Sequence, residues 1–176
     1  MLGELAAADP EAAARLHPND RKRIVRALEV FQQTGKTISQ HNRETRALSP
    51  RYDALTLSLA FQRREDMWAR IDRRVDEMMA AGLAEEVRAL LDSGVPVRCT
   101  AMQAIGYKEM AAALRGGGDV CAAAEEIKLR SRQYAKRQLT WFRRTEGAKW
   151  LFWGPEPDFE AACRTSTKYL EEFGLV

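Results

Sequence analysis

The spacing of apolar and polar positions divides the chain into a series of short elements. Residues 9–16 (DPEAAARL) predict a helix with Asp9 as its cap and Pro10 in its first position. HPND follows, and Asn19 or Asp20 caps a second helix, whose apolar stripe is Ile24, Ala27, Leu28 and Phe31 and which Gly35 ends. Residues 38–50 are polar, finish in Ser-Pro and read as a connector. ALTLSLAF (54–61) alternates and is rich in strand formers, so a strand is expected there. From Arg64 toward Asp92 the period returns to helical. Met67, Ile71, Val75 and Met78 share one face, Gly82 divides the segment in two, and Gly94 with Pro96 stops it. IGYKEMAAALRGGG (105–118) predicts a helix closed by glycines, and 122–144 a long basic one. KWLFW (149–153) predicts a short strand, and 156–173 a last amphipathic helix. The expected fold is mainly α with two short strands. Two strands alone do not make a stable sheet, so they require neighbours.

The long basic helix is the most informative segment. Ile127 to Thr145 holds seven basic residues, no acidic residue and three aromatics. At 100° per residue, Ile127, Tyr134, Ala135, Leu139, Trp141 and Phe142 fall in one broad arc and predict a buried face. Lys128, Arg132, Lys136 and Arg143 form a row on one flank, and Arg130, Arg137 and Arg144 form a row on the other. Like charges at i,i+4 repel by a few tenths of a kcal/mol per pair. Folding alone gives no reason to build such rows unless carboxylates on other elements neutralise them. An anionic partner does give one, because each phosphate contact releases counterions. The residues by themselves leave the two readings even.

Bulk properties narrow the choice. Among the 176 residues, 45% are hydrophobic and 30% charged, as in an ordinary globular domain, and the net charge is only +3. The basicity is therefore local, which fits a specific anion site better than a polycationic coat. Cys99, Cys121 and Cys163 are widely spaced and odd in number, which argues against a disulfide framework, and only two histidines are present, which argues against zinc. No signal peptide and no span of about 18 apolar residues is found, so a soluble cytoplasmic protein with no membrane partner is expected.

Four further patterns bear on chemistry. Gly35-Lys36-Thr37 is not a P-loop, because position 30 is Val and a helix precedes the tripeptide. Lys22, Arg23 and Arg26 sit near a helix start, where RNA contact competes with simple solvation. Arg63, Arg70 and Arg74 share a helix face just beyond the first strand, where an arginine fork can clamp a phosphate; pairing of Asp66 with Arg70 is the plain alternative. Gly106 lies between Gln103 and Tyr107-Lys108, where a glycine permits close approach of another chain; an ordinary helix start with Tyr107 half buried is the plain alternative, which the residues by themselves favour. No nucleophile-histidine pattern, metal constellation or glycine-rich phosphate loop occurs.

Taken in order, DPEAAARLHPNDRKRIVRALEVFQQTGK (9–36), RIDRRVDEMMAAGLAEEV (70–87), MQAIGYKE (102–109) and RQYAKRQLTWFR (132–143) resemble the C-terminal portion of the tRNA dimethylallyltransferase, or isopentenyl-diphosphate:tRNA transferase, family. The resemblance implies transfer of a dimethylallyl group from its diphosphate to the exocyclic amine of the adenosine next to the tRNA anticodon, with that adenosine flipped from its stack. It implies a P-loop-kinase-like α/β core carrying a helical insertion: residues 1–50 the end of the insertion, and 51–176 the C-terminal part of the core. It implies partners in the tRNA anticodon stem-loop and dimethylallyl diphosphate, and magnesium for the complete enzyme but no cofactor held by this stretch. Residue by residue, tRNA contacts carry over to Lys22, Arg23 and Arg26. They carry over also to Gln103, Gly106, Tyr107 and Lys108, and to Arg132, Lys136, Arg137, Gln138, Thr140, Trp141 and Arg143. Arg74, Arg70 and Arg63 stand where a diphosphate-binding arginine is expected. The family's N-terminal P-loop and D-S-x-Q motif, which supplies the general base, do not occur in these residues. No catalytic residue is therefore expected in this chain. A complementing N-terminal part is implied, and the polypeptide alone is expected to be an incomplete, inactive transferase. A non-catalytic RNA-binding module is the competing reading.

Overall fold

The structure, a computed structural model, describes residues 1–175 and separates into two compact units, the first spanning Met1–Ala54 and the second beginning at Leu55. The first unit is four helices, α1 (Leu2–Ala8), α2 (Pro10–Arg15), α3 (Arg21–Thr34) and α4 (Ile38–Ala47). Leu5, Ala12, Ile24 and Ala27 form its core, with Leu28 and Ile38 packed against them. Asp9 caps α2 as its sequence setting predicts: Oδ1 accepts from Ala12 N and Oδ2 from Ser39 N, both at 3.0 Å. The second bond ties α2 to α4. Gly35 closes α3 in the left-handed conformation.

One expectation is corrected in this unit. Residues 38–47 are helix α4, not connector. Thr37 and Gln40 form a reciprocal capping box, Gln40 N donating to the Thr37 hydroxyl at 3.1 Å and Thr37 N to Gln40 Oε1 at 2.8 Å. The helix is polar on nearly every face and offers little apolar period; its start was legible only in the Thr-x-x-Gln spacing. Helix α1 was also not anticipated, and it is anchored by the fully buried Leu5.

The second unit holds β1 (Leu57–Phe61), α5 (Arg64–Ala80), α6 (Leu83–Asp92), α7 (Tyr107–Gly116), α8 (Val120–Phe142), β2 (Lys149–Trp153) and α9 (Phe159–Phe173). A 3-10 turn at Ala101–Gln103 leads into α7. The two strands pair with each other in parallel, Leu57 opposite Lys149 and Phe61 opposite Trp153. Among the described residues the sheet has only these two strands. The core lies between α5, α6, α7 and α8, where Val87, Met102, Met110 and Ile127 are fully buried. Gly82, with φ +96°, divides α5 from α6 in a conformation that residues with a Cβ rarely adopt. Asp119 and Asp158 cap α8 and α9 through Cys121 N and Ala161 N.

The buried arc expected along the basic helix holds only at its start. Ala123, Ala124 and Ile127 are buried, whereas Tyr134, Trp141 and Phe142 are exposed, Trp141 by 65%. Packing by α5 and α7 covers the first half of α8, and no described element covers the aromatics of the second.

Candidate nucleic-acid interface

The end of β1, the first turns of α5 and the second half of α8 converge on an open cavity of about 530 Å³. Phe61 ends the strand, its ladder closed by Gln62 N donating to Trp153 O at 2.8 Å. Extended backbone at Arg63 then turns the chain into α5, so Arg63, Arg64 and Trp68 reach the cavity from one side. Helical spacing on α8 brings Arg132, Lys136 and Arg143 in from the other, with Thr140 beside them. Met67, Leu129 and Leu139 supply an apolar wall. The Thr140 hydroxyl donates to Lys136 O within the helix at 2.9 Å. The result is a concave, partly apolar surface at the carboxyl end of a parallel strand, rimmed by five cations.

Partners divide those cations into two kinds. Glu65 lies 3.9 Å from Arg63 and 3.7 Å from Arg64, both pairs exposed and so contributing little. Arg132 donates to Asp72 at 3.2 Å. Lys136 and Arg143 have no carboxylate partner among the described residues. Elsewhere on α8, Lys128 is bracketed by Asp76 at 2.7 Å and Glu125 at 2.8 Å. Hydrogen bonds that its ammonium donates to those two carboxylates, Asp76 first, push its pKa well above the ordinary lysine value. Arg130 pairs with Glu126 at 2.6 Å. The question left open by the sequence thus resolves differently along one helix. Carboxylates on α5 and in the preceding turn of α8 neutralise the basic rows as far as Arg132. Beyond it Lys136, Arg137, Arg143 and Arg144 face solvent without them. Arg137 lies 5.7 Å from the Tyr134 ring centroid, and Trp141 meets Phe142 edge-on at 5.1 Å, so cationic and aromatic surfaces interleave there.

The Gln103–Lys108 segment borders a second open groove between α7 and α8, with Arg130, Gln133 and Arg137 opposite. Gln103 donates its side-chain amide to Val97 O at 2.7 Å. Gly106 has φ +104°, and its N donates to the Glu109 carboxylate at 2.9 Å. A Cβ there would meet only the Met78 methyl at 3.8 Å. The positive φ at this turn is one that residues with a Cβ rarely adopt, which accounts for glycine at 106. Tyr107 donates its hydroxyl to Glu86 at 2.5 Å, a bond that raises its pKa. Lys108 is exposed. Gln138 and Gln103 border a third hollow together with Tyr134 and Ile105.

The arginine face of α5 is also rearranged. Arg63 enters the main cavity, while Arg70 and Arg74 lie outside its lining. Arg74 pairs with Glu77 at 3.7 Å. The alternative Asp66–Arg70 pair does not form; Arg70 has no ion pair among the described residues, and Asp66 Oδ2 is buried without a partner. Sequence reasoning missed Arg64 and Trp68. The signal was present: Arg64 lies over the Trp68 ring at 4.5 Å, an i,i+4 pairing of guanidinium and indole. Lys22, Arg23 and Arg26 belong to the first unit and are exposed on α3; Arg23 pairs with Asp20 at 3.4 Å and Arg26 with Glu29 at 3.7 Å.

The donor set does not suit the magnesium that the resemblance implies. No group of three or more His, Cys, Asp or Glu is placed to hold a metal among the described residues. The carboxylate nearest the cavity's arginines, Glu65, is engaged by two of them. Among the described residues no helix is long and apolar enough to cross a membrane.

With this geometry in view, comparison with known proteins gives a consistent result. A family model described as IPP transferase matches residues 1–145. The tRNA dimethylallyltransferase 1 of Trichlorobacter lovleyi is 50% identical over 151 residues, 86% of this chain and 49% of that protein. The tRNA dimethylallyltransferase of Bacillus subtilis is 46% identical over 160 residues, 91% of this chain and 50% of that protein. Among solved structures, the full-length tRNA isopentenylpyrophosphate transferase of Bacillus halodurans aligns with 98% of this chain and 51% of its own, at 35% identity and a TM-score of 0.65. A eukaryotic dimethylallyltransferase acting on tRNA aligns with 97% of this chain and 46% of its own, at 27% identity and a TM-score of 0.76. The chain spans about half the length of the curated relatives it matches. These matches agree with the expected fold class, part of a P-loop-kinase-like α/β core.

Proposed function

The chain belongs to the IPP transferase family, and on that premise we propose that it supplies the tRNA-holding and part of the diphosphate-holding surface for dimethylallyl transfer to the adenosine beside the tRNA anticodon. The observation that carries the reading is the junction of the arginine pair after β1 with the unneutralised half of α8 in one cavity. Lys136 and Arg143 offer charge to RNA phosphates, and the exposed Trp141 and Tyr134 offer faces on which unstacked bases can lie. Arg63 and Arg64, with the exposed Arg70 on the same helix, offer forks to a diphosphate. Gln103 and Lys108 at the head of α7 extend the RNA surface, and Lys22, Arg23 and Arg26 of the first unit, the proposed end of a helical insertion, grip the stem-loop.

The family's P-loop and D-S-x-Q motif do not occur in these residues. The backbone cradle for the diphosphate, the base that takes the amine proton, and any nucleotide or magnesium site are therefore assigned to a complementing N-terminal part. No catalytic residue is proposed here. The setting proposed for the reaction is the cytoplasm.

The test has two arms. An anticodon stem-loop should bind the 176-residue chain with strong salt dependence, yet the chain should transfer no labelled dimethylallyl group. Joined to the N-terminal half of the Bacillus subtilis relative, it should transfer to that stem-loop. A folded chain that leaves the stem-loop unbound at low salt, or turnover by the chain alone, refutes the assignment.

A further inference from the structure

The cavity's cations differ in what holds them. Arg132 is fixed from two sides by α5: it donates to Asp72 Oδ2 at 3.2 Å, and its guanidinium carbon lies 5.9 Å from the Trp68 ring centroid. Its side chain is 29% exposed. The other carboxylate oxygen of Asp72, Oδ1, is buried without a partner among the described residues, so the hydrogen bonding of this acid is directed to Arg132 alone. Lys136 and Arg143 have no such restraint. A long cationic side chain loses rotamer freedom when it takes an anion, and that loss weakens binding. Arg132 has lost it already, and its planar fork suits two oxygens of one phosphate.

We propose that Asp72 and Trp68 are positioning residues, which orient the Arg132 fork for a phosphate or diphosphate group in the cavity. This rests on the anion reading given above. It makes a prediction of unusual sign. Asp72 is a negative charge beside an anion site, so electrostatics alone requires that its removal strengthen anion binding. Positioning requires the opposite.

The experiment is calorimetric titration of the 176-residue chain with inorganic pyrophosphate at low ionic strength, with circular dichroism to confirm folding. Asp72→Ala should weaken binding about tenfold, the scale of one well-made hydrogen bond to a charged group. Asp72→Asn, which keeps an acceptor for Arg132, should restore at least the original affinity. Trp68→Leu should weaken binding severalfold. Tighter binding by Asp72→Ala overturns the inference. Should Asp72→Ala not fold, Arg132→Lys decides: it keeps the charge but loses the fork, so about a tenfold loss supports positioning and unchanged affinity overturns it. Absence of pyrophosphate binding by the original chain is a separate result, which overturns the anion reading of the cavity and this inference with it.

Discussion

Replacing Lys136 and Arg143 together by alanine tests whether the unpaired half of α8 contacts RNA phosphates. Neither residue has a carboxylate partner among the described residues, whereas Lys128 and Arg130 on the same helix are paired at 2.6 to 2.8 Å. A cation that already neutralises a carboxylate releases few counterions when it meets a phosphate. A free one releases close to a full equivalent. Each lost phosphate contact reduces the slope of log affinity against log salt by about 0.9 on duplex and about 0.7 on single strands. Two lost contacts therefore flatten the slope by about 1.4 to 1.8. Between 50 and 200 mM salt, the affinity of the double variant should fall by a factor about 7 to 12 smaller than for the original chain. Fluorescence anisotropy of a labelled anticodon stem-loop, titrated at four salt concentrations, reads this directly. Arg130→Ala is the matched control, since it removes one positive charge from the same helix but breaks its pair with Glu126. Its slope should stay close to that of the original chain. Equal flattening by the control and by either single variant would show that only net charge matters, and that the split along α8 has no bearing on RNA.

Other predictions concern the framework. Asp9→Ala should destabilise the first unit by about 2 kcal/mol in urea unfolding followed by circular dichroism, since it removes a cap and orphans the buried Ser39 N–H. Burial of Asp9 raises its pKa, but hydrogen bonds from Ala12, Ser39 and Thr37 outweigh this and leave it below the ordinary carboxylate value. Its stabilisation is therefore present above the unfolded carboxylate pKa and is lost as pH falls below it; the Ala variant should show a shallower acid transition, and an unchanged one would contradict the argument. Ile127→Ala, at a side chain only 1% exposed between α8 and its neighbours, should cost about 2 to 5 kcal/mol and lower the thermal midpoint of the second unit. Gly82→Ala should cost about 1 to 2 kcal/mol through backbone strain at φ +96°; no atom lies closer to the new methyl than Glu85 Oε2 at 3.6 Å, so a measured cost near zero would refute the conformational explanation.

Much of this protein is legible in its sequence because local chemistry decides it. The Asp9-Pro10 start of α2, the glycine joint between α5 and α6, the closure of α3 at Gly35 and the strand at Lys149–Trp153 each follow from neighbouring residues, and each stands in the structure. Helix α4 was hidden because its polar composition leaves little apolar period, although Thr37 and Gln40 already encode its cap. The order of the motif blocks also carried the family, since a run such as QYAKRQLTWFR is a record of descent as well as of physics.

What the chain could not disclose one residue at a time is which charges are free. Lys128 and Lys136 occupy the same row of α8, two turns apart, and read alike in the sequence. Packing of α5 sets Asp76 against the first, and no described carboxylate reaches the second. Likewise Arg63 and Arg132 lie far apart in the chain, and only the packing of α5 against β1 and α8 brings them to one cavity while leaving Arg74 outside it. Charge pairing is a property of distances of a few ångströms between elements. The amino-acid sequence determined the helices, their caps and the stock of cations; tertiary packing decided which of those cations remain available to a partner.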